Sequence, residues 1–241
     1  MTIKPLIKAL TEAGIGPRRR MAESIKQGQV AVNGRTAESF NHPVNTEEDA
    51  VSLSGRQVQL KPDEPIYLML NKPEGLVSTV SDEKGRPTVL DILPPEHRKH
   101  RLYPVGRLDK DTAGLLLLTN DGDLTYRLTH PKFEYEKEYL VQMDGRLKAG
   151  EIRTLERGIR LDDGITQPAR IKPVASAPLF QYSIVIHEGR KRQVRRIFES
   201  LGHYPLALKR VRMGGLKLGA LKEGQTRRLR PEEIRDLLAG H

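Results

Sequence analysis

Cysteine is absent from this chain, which removes disulfides, thiolate nucleophiles and thiolate zinc sites together. Long apolar runs are lacking as well: no segment approaches the roughly 18 residues of a membrane-spanning helix. The first residues, MTIKPLIKALTEAG, do not carry the apolar stretch of a secretory signal. Neither a lipidation signal nor a long basic amphipathic helix is present, so a membrane partner has no support. A glycine-rich phosphate loop of the Walker or dinucleotide type is missing. The seven histidines are scattered, and His97 and His100 in EHRKHR read as water-facing rather than metal-bound. These absences set the expectation of a cytoplasmic protein, monomeric by default, that works with no metal and no cofactor.

What the chain has in excess is positive charge, with 41 Lys and Arg against 31 Asp and Glu and a formal net charge of +10. That sign favours a polyanionic partner, because each phosphate neutralised releases condensed counterions. At 241 residues there is room for one large domain or two modest ones, with a sizeable core.

Patterning divides the chain at Lys61-Pro62-Asp63-Glu64-Pro65, a charged segment bracketed by prolines. Before it, Leu6, Leu10 and Ala13 recur at helical spacing until the Gly14–Gly16 region interrupts them. Pro17 suits the first position of a second helix, where its missing N–H needs no partner. Met21 and Ile25 carry that helix to Gly28. Val30 and Val32 alternate into Asn33-Gly34, a hairpin signal, and Val51 and Leu53 lead to a second turn at Ser54-Gly55. The reading is one domain over 1–62 and another over 66–241. The second is rich in strands (IYLML, GLLLL, EYLVQM and YSIVI) separated by polar loops. Val194, Ile197, Phe198 and Leu201 form a helical stripe in KRQVRRIFESLG, with Gly202 as its C-cap. Pro231 opens a short last helix. Strands and helices without regular βαβ repetition predict an α+β fold.

The stretch GRLDKDTAGLLLLTNDG, residues 106 to 122, carries the chemistry. A basic, tightly turning segment presents Asp109 and Asp111 and runs into a strand apolar enough to be buried on both faces. A reactive side chain at the end of such a rigid element is held in place. An ordinary loop ion pair with Arg107 explains the same spacing equally well. Asp111, Asp121 and Asp123 read as residues that shape turns or cap a helix starting near Leu124.

RRRMAESIKQGQVAVNG in the first domain resembles the small RNA-binding domain shared with ribosomal small-subunit protein four, here the S-four-like domain. The resemblance covers roughly residues 3 to 60. It implies that Arg18 and Arg19, at the start of the helix, grip RNA phosphates. Pro17 stands where that family often has a serine cap, and Ser24 where it often has leucine.

In the second domain the order of motifs is Asn71-Lys72-Pro73-Glu74-Gly75, then Gly85-Arg86-Pro87-Thr88-Val89, then the GRLDKD segment. His130-Pro131, Lys137-Glu138-Tyr139 and the run from Glu188 to Arg196 follow. Together these resemble the RsuA/RluB family of ribosomal RNA pseudouridine synthases over nearly all of residues 66 to 235. The resemblance implies a catalytic domain with a mixed, mostly antiparallel central sheet flanked by helices. It also implies a reaction without cofactor, in which a uridine base is detached, rotated and rejoined through carbon five. By resemblance Asp109 is the essential carboxylate, as nucleophile or as the group assisting a glycal route. Arg195 is the basic partner that keeps it charged against desolvation. Tyr139 packs against the base, and Arg107 helps displace it from its stack. Flipping the base out must be repaid by phosphate contacts from both domains, for which Lys191, Arg192, Lys209, Arg210 and Arg212 are candidates beside Arg18 and Arg19. NKPEGLVST followed by GRPTV looks closer to the large-subunit branch than to the small-subunit one. The expected partner is therefore large-subunit ribosomal RNA or a ribosome assembly intermediate.

Two other function classes compete. A non-catalytic RNA-binding assembly factor would keep the scaffold and lose the carboxylate or its partners, yet Asp109, Tyr139 and Arg195 are all present. A metal-dependent nuclease using Asp109 and Asp111 would need further ligands, and no such cluster is apparent. Small-subunit RNA is the alternative substrate.

Overall fold

The computed structural model describes residues 3–175 and 179–239. Two compact units emerge. One runs to Pro65 and includes Asn120–Gly122, and the other comprises Ile66–Thr119 and the chain from Asp123 onward.

The first unit contains β1 (Ile3–Pro5), α1 (Leu6–Glu12), α2 (Arg18–Lys26), β2 (Val30–Val32) and β3 (Arg35–Thr36). β4 (Pro43–Asn45), β5 (Val51–Leu53) and β6 (Arg56–Val58) complete it. An antiparallel sheet in the order β3-β2-β5-β6 lies beside a separate β1-β4 pair. Asn33 and Gly34 both take positive φ, at 50° and 78°, as do Ser54 and Gly55, at 49° and 77°. Two consecutive left-handed residues give the turn whose twist matches antiparallel strands. Leu6, Leu10, Met21, Ile25, Val30 and Val51 form the core. Pro17 is the N-cap of α2 and not its first helical residue. Ser24 is buried in that helix, so the position is a core position despite its hydroxyl.

The second unit follows with β7 (Tyr67–Lys72), α3 (Pro95–Arg98), β8 (Tyr103–Pro104), β9 (Ala113–Thr119), α4 (Gly122–Thr129) and β10 (Lys137–Met143). Next come α5 (Ala149–Arg157), β11 (Arg160–Leu161), β12 (Gly164–Ile165), β13 (Arg170–Pro173), β14 (Tyr182–Ile186) and α6 (Gln193–Glu199). β15 (Pro205–Met213), β16 (Leu216–Lys217), β17 (Thr226–Arg228) and α7 (Pro231–Ala239) close the chain. The spine of the sheet is β13-β14-β10-β15-β9-β7-β17. Only β15 and β9 run parallel among these pairs, so the sheet is mixed and mostly antiparallel. This is the α+β architecture implied by the motifs.

β9 is buried along its whole length, and its leucines alternate between two cores. Leu116 and Leu118 join Leu108, Tyr139, Val194 and Phe198 on one face. Leu115 and Leu117 join Met69, Leu128, Tyr135 and Leu237 on the other. Full burial explains why the strand reads as a continuous apolar run instead of an alternating one. α6 ends at Glu199 with Ser200 as its C-cap, and Gly202, with φ 82°, lies beyond that cap instead of forming it. α4 begins at Gly122, with Asp123 in its first turn.

β15 has no counterpart in the expected strands, although it is the longest. Its apolar alternation is broken by Lys209, Arg210 and Arg212. The expectation that Arg210 contacts RNA is not met. Arg210 is 2% exposed and its Nε donates to the Leu115 carbonyl. Arg212 pairs with Glu136 and Glu138.

Candidate active site

The loop between Leu108 and Thr112 leads into β9, and residues at the end of β7 and just beyond fasten it. Lys72, the last residue of β7, is fully buried. Its Nζ donates to four carbonyls: Pro73 at 3.0 Å, Asp109 at 3.1 Å, Lys110 at 3.3 Å and Thr112 at 2.9 Å. An ammonium has three N–H donors, so at least one is shared. Burial lowers the Lys72 ammonium to about 8, opposed by the charges of Glu74, Asp111 and Asp109. The Gly75 N–H donates to the Lys110 carbonyl. The Ser78 hydroxyl donates to the Leu108 carbonyl and accepts from the Leu108 N–H. The Asn-Lys-Pro-Glu-Gly motif thus acts as the clamp of the aspartate loop.

The two aspartates of that loop have different environments. Asp109 is half-buried, and among the described residues its carboxylate has no hydrogen-bond or ion-pair partner. Asp111 receives two guanidinium groups. Arg192 Nη1 lies 3.3 and 3.2 Å from its two oxygens, and Arg195 Nε lies 3.3 Å from Oδ2. Arg195 also donates from Nη2 to the Asp111 peptide carbonyl at 2.5 Å and from Nη1 to the Pro205 carbonyl at 2.9 Å. Burial raises the Asp111 carboxyl, but the Arg192 hydrogen bond and the Arg195 and Arg192 charges outweigh it and hold the group below its ordinary value. The expected pairing of Arg195 with Asp109 is therefore corrected: Arg195 pairs with Asp111. The physical reason is its position on α6, where the guanidinium is 7% exposed and needs fixed acceptors in its own plane.

Arg192 is the N-cap of α6 and adopts φ 51°, a left-handed conformation uncommon for a residue with a side chain. Its bonds to Asp111 place it beside the aspartate loop, and Asp109 also contributes to its raised pKa. The remaining cations of the Glu188–Arg196 run face elsewhere. Arg190 and Arg196 bind Asp163 at the β11-β12 turn, while Lys191 is exposed. Tyr139 sits on β10, opposite Ile184 on one side and Arg210 on the other. It is 8% exposed and shares a core with Leu108 and Val194. Its hydroxyl has no partner among the described residues. A β-bulge separates it from Glu138, and such bulges re-aim the side chains beside them. Arg107 is exposed, as are Arg18 and Arg19 on α2 of the first unit.

The family model for RNA pseudouridylate synthase matches residues 66–200, and that for the S4 domain matches residues 4–51. The chain belongs to the RNA pseudouridylate synthase family. It is 43% identical to the ribosomal large subunit pseudouridine synthase B of Bacillus subtilis, over 97% of this chain and 95% of that one. An uncharacterised RNA pseudouridine synthase of Mycobacterium bovis is 40% identical over 96% and 92%. A crystal structure of a pseudouridylate synthase superposes with a TM-score of 0.68 at 31% identity, covering 96% of this chain and 98% of that one.

In this family member the fold thus joins the Asp109–Asp111 loop to α6 through Arg192 and Arg195. It also sets Tyr139 in the same core as Leu108. Sequence reasoning misses two residues. Lys72 stands out only as a motif letter, and Asp111 reads as a turn residue although it receives both arginines. Among the described residues no group of three His, Asp or Glu is placed to hold a metal, and no helix is long and apolar enough to cross a membrane.

Proposed function

We propose that this chain converts a specific uridine of large-subunit ribosomal RNA to pseudouridine, with Asp109 as the essential carboxylate. The observation that carries the residue choice is the contrast within one loop. Asp109 offers an unpartnered carboxylate on a clamped backbone, whereas both arginines engage Asp111. The large subunit is supported by the name of the Bacillus subtilis relative, and RNA binding by the S4 match.

The reaction conserves every atom. The bond from ribose C1′ to N1 breaks, the base turns, and C1′ bonds to C5. The proton on C5 then leaves, and N1 regains one. Asp109 acts ionised, either by attacking the sugar or by drawing a proton from C2′ on a glycal route. Tyr139 packs its ring on the base, and its free hydroxyl is available for the C5 proton. Arg195 acts as a positioning residue: it fixes the loop through Asp111 and its carbonyl. Arg107 helps hold the target base out of its stack, which costs about a few kcal/mol. Exposed Arg18, Arg19 and Lys191 grip phosphates, and Arg192 lies between Asp111 and the incoming strand. The protein acts as a monomer in the cytoplasm, on ribosomal RNA or an assembly intermediate.

The test is a map of pseudouridines in both ribosomal RNAs of a strain lacking the protein, by carbodiimide modification and reverse transcription. One large-subunit site should vanish and return with wild type and not with Asp109→Asn. Return with Asp109→Asn but not with Asp111→Asn would exchange the roles of the two aspartates. A lost small-subunit site would correct the substrate, and no lost site would favour the assembly-factor role.

A further inference from the structure

Beside the aspartate loop stands an exposed aromatic ledge that the reaction does not use. It is built where α4 ends and a short 3-10 turn, Pro131–Phe133, begins. Tyr126 and His130 lie 4.8 Å apart between ring centroids, and Tyr126 meets Phe133 edge-on at 6.0 Å. The Lys132 ammonium sits over both rings, 5.1 Å from Tyr126 and 4.7 Å from Phe133. Tyr126 remains 49% exposed. His130 Nδ1 accepts from the Lys132 N–H, which fixes the imidazole.

Burial accounts for Phe133, which packs against the neighbouring core, and not for Tyr126. The neighbouring core takes Leu124 and Leu128 from α4, on the helix face that excludes Tyr126. A lysine over two rings keeps a cation where an anion can approach. A cavity of about 800 Å3 opens at the foot of the ledge, lined by Lys132, Phe133, Glu136, His187 and Arg212 among others. Glu136 is already engaged by Arg170 and Arg212. The volume is that of a site for a molecule the size of a nucleotide.

Two adjacencies tie the ledge to the site. Thr129, at the end of α4, abuts Gly106, where an added Cβ would lie 3.4 Å from its methyl group. Gly106 opens the segment that carries Arg107 and Asp109. On the other side His187 follows β14 and begins the loop that ends at Arg192. The ledge and cavity therefore adjoin both segments that form the site.

We propose that this ledge and cavity bind an unpaired nucleotide of the substrate RNA near the target uridine. Its base stacks on the exposed ring of Tyr126, which Phe133 supports edge-on, and its phosphate meets Lys132. The proposal rests on the reading of this chain as a ribosomal RNA pseudouridine synthase. Stacking on aromatic rings beside a cation is how proteins hold single-stranded bases without reading their sequence. Loops and bulges supply such bases.

The chain contains no tryptophan, so Tyr126→Trp places one indole reporter on the ledge. An adenylate hexanucleotide should quench its emission, while a blunt RNA duplex leaves it nearly unchanged. Tyr126→Ala should weaken hexanucleotide binding about tenfold. Tyr126→Phe keeps the ring and should stay within about twofold of wild type. Both variants should melt close to wild type, since the side chain is half exposed. On the modified ribosomal RNA, Tyr126→Ala should raise KM and leave kcat unchanged. Equal affinity in wild type and Tyr126→Ala, or equal quenching by the duplex, overturns the ledge. So does an unchanged KM in Tyr126→Ala, which leaves the isomerase reading intact. Loss of hexanucleotide binding in Tyr126→Ala, with wild type forming no pseudouridine in either ribosomal RNA, supports the ledge and refutes that reading instead.

Discussion

The ammonium of Lys72 lies 3.1 Å from the peptide carbonyl of Asp109, one of four carbonyls that enclose it. A charge with no exposure is thereby used to fix the backbone of a loop whose carboxylate stays free. Lys72→Met removes the donors and leaves those carbonyls facing an apolar chain. Stability should fall by about 2 kcal/mol near neutral pH. Turnover should fall by about 10²-fold, the order expected when a reacting group drifts by an ångström. Urea unfolding and single-turnover kinetics on the same preparations check both.

The same lysine makes a prediction about pH. Its folded value is lowered to about 8, whereas an unfolded lysine titrates near about 10.4. Between those values the unfolded chain keeps a proton that the folded chain has released, so this group's contribution to stability rises with pH. The stability of wild type relative to Lys72→Met should therefore increase across that window and stay flat below it. Unfolding curves of the two proteins from neutral to strongly alkaline pH measure the difference. A difference that does not change with pH would mean that Lys72 titrates as an ordinary lysine.

Arg195 should couple to Asp111 more strongly than to Asp109. A double-mutant cycle of Arg195→Met with Asp111→Asn should give an interaction energy of about 1–3 kcal/mol in stability, and the cycle with Asp109→Asn close to zero. Arg195→Met alone should lower turnover while the pH dependence of the remaining activity keeps its shape, because the arginine acts on the loop. A larger coupling to Asp109 would restore the pairing implied by the family resemblance.

Much of the fold is legible because local pattern and burial agree. Leu115 to Leu118 occupy a strand buried on both faces, and Asn33-Gly34 and Ser54-Gly55 adopt the left-handed pairs their turns require. Legibility fails where charge enters the interior. Lys209, Arg210 and Arg212 look like a solvated RNA face, yet Arg210 is buried against the Leu115 carbonyl and Arg212 is bound by glutamates far away in sequence. The arginines from Arg190 to Arg196 show the same limit. Their spacing says nothing about Asp163 or Asp111, which only the tertiary structure brings near. Asp111 is hard to read for that reason, since its role is set by α6 and not by its own loop.

Tyr139→Phe separates the ring from the hydroxyl. The hydroxyl has no partner among the described residues, and the ring lies in a packed core. Stability should therefore stay within about 0.5 kcal/mol of wild type, since no hydrogen bond is removed. RNA affinity should hold as well. Turnover should nonetheless fall by about 10²-fold or more if the hydroxyl moves the C5 proton. Unchanged turnover in a stable Tyr139→Phe protein would confine the residue to packing against the base.

The exposed arginines of the first unit should act through phosphates alone. Arg18→Ala combined with Arg19→Ala should weaken RNA binding at low salt and reduce the slope of log affinity against log salt. The slope should change by roughly 0.7–0.9 for each phosphate no longer neutralised. Both side chains are exposed, so the unit should keep its fold. The bound complex should isomerise its uridine at the wild-type rate, because neither residue lies in the unit that carries Asp109. Titrations over a range of salt, with single-turnover assays at saturating enzyme, distinguish the two effects. An unchanged slope would mean that α2 does not meet the RNA backbone, and a slower saturated rate would mean that this unit does more than bind.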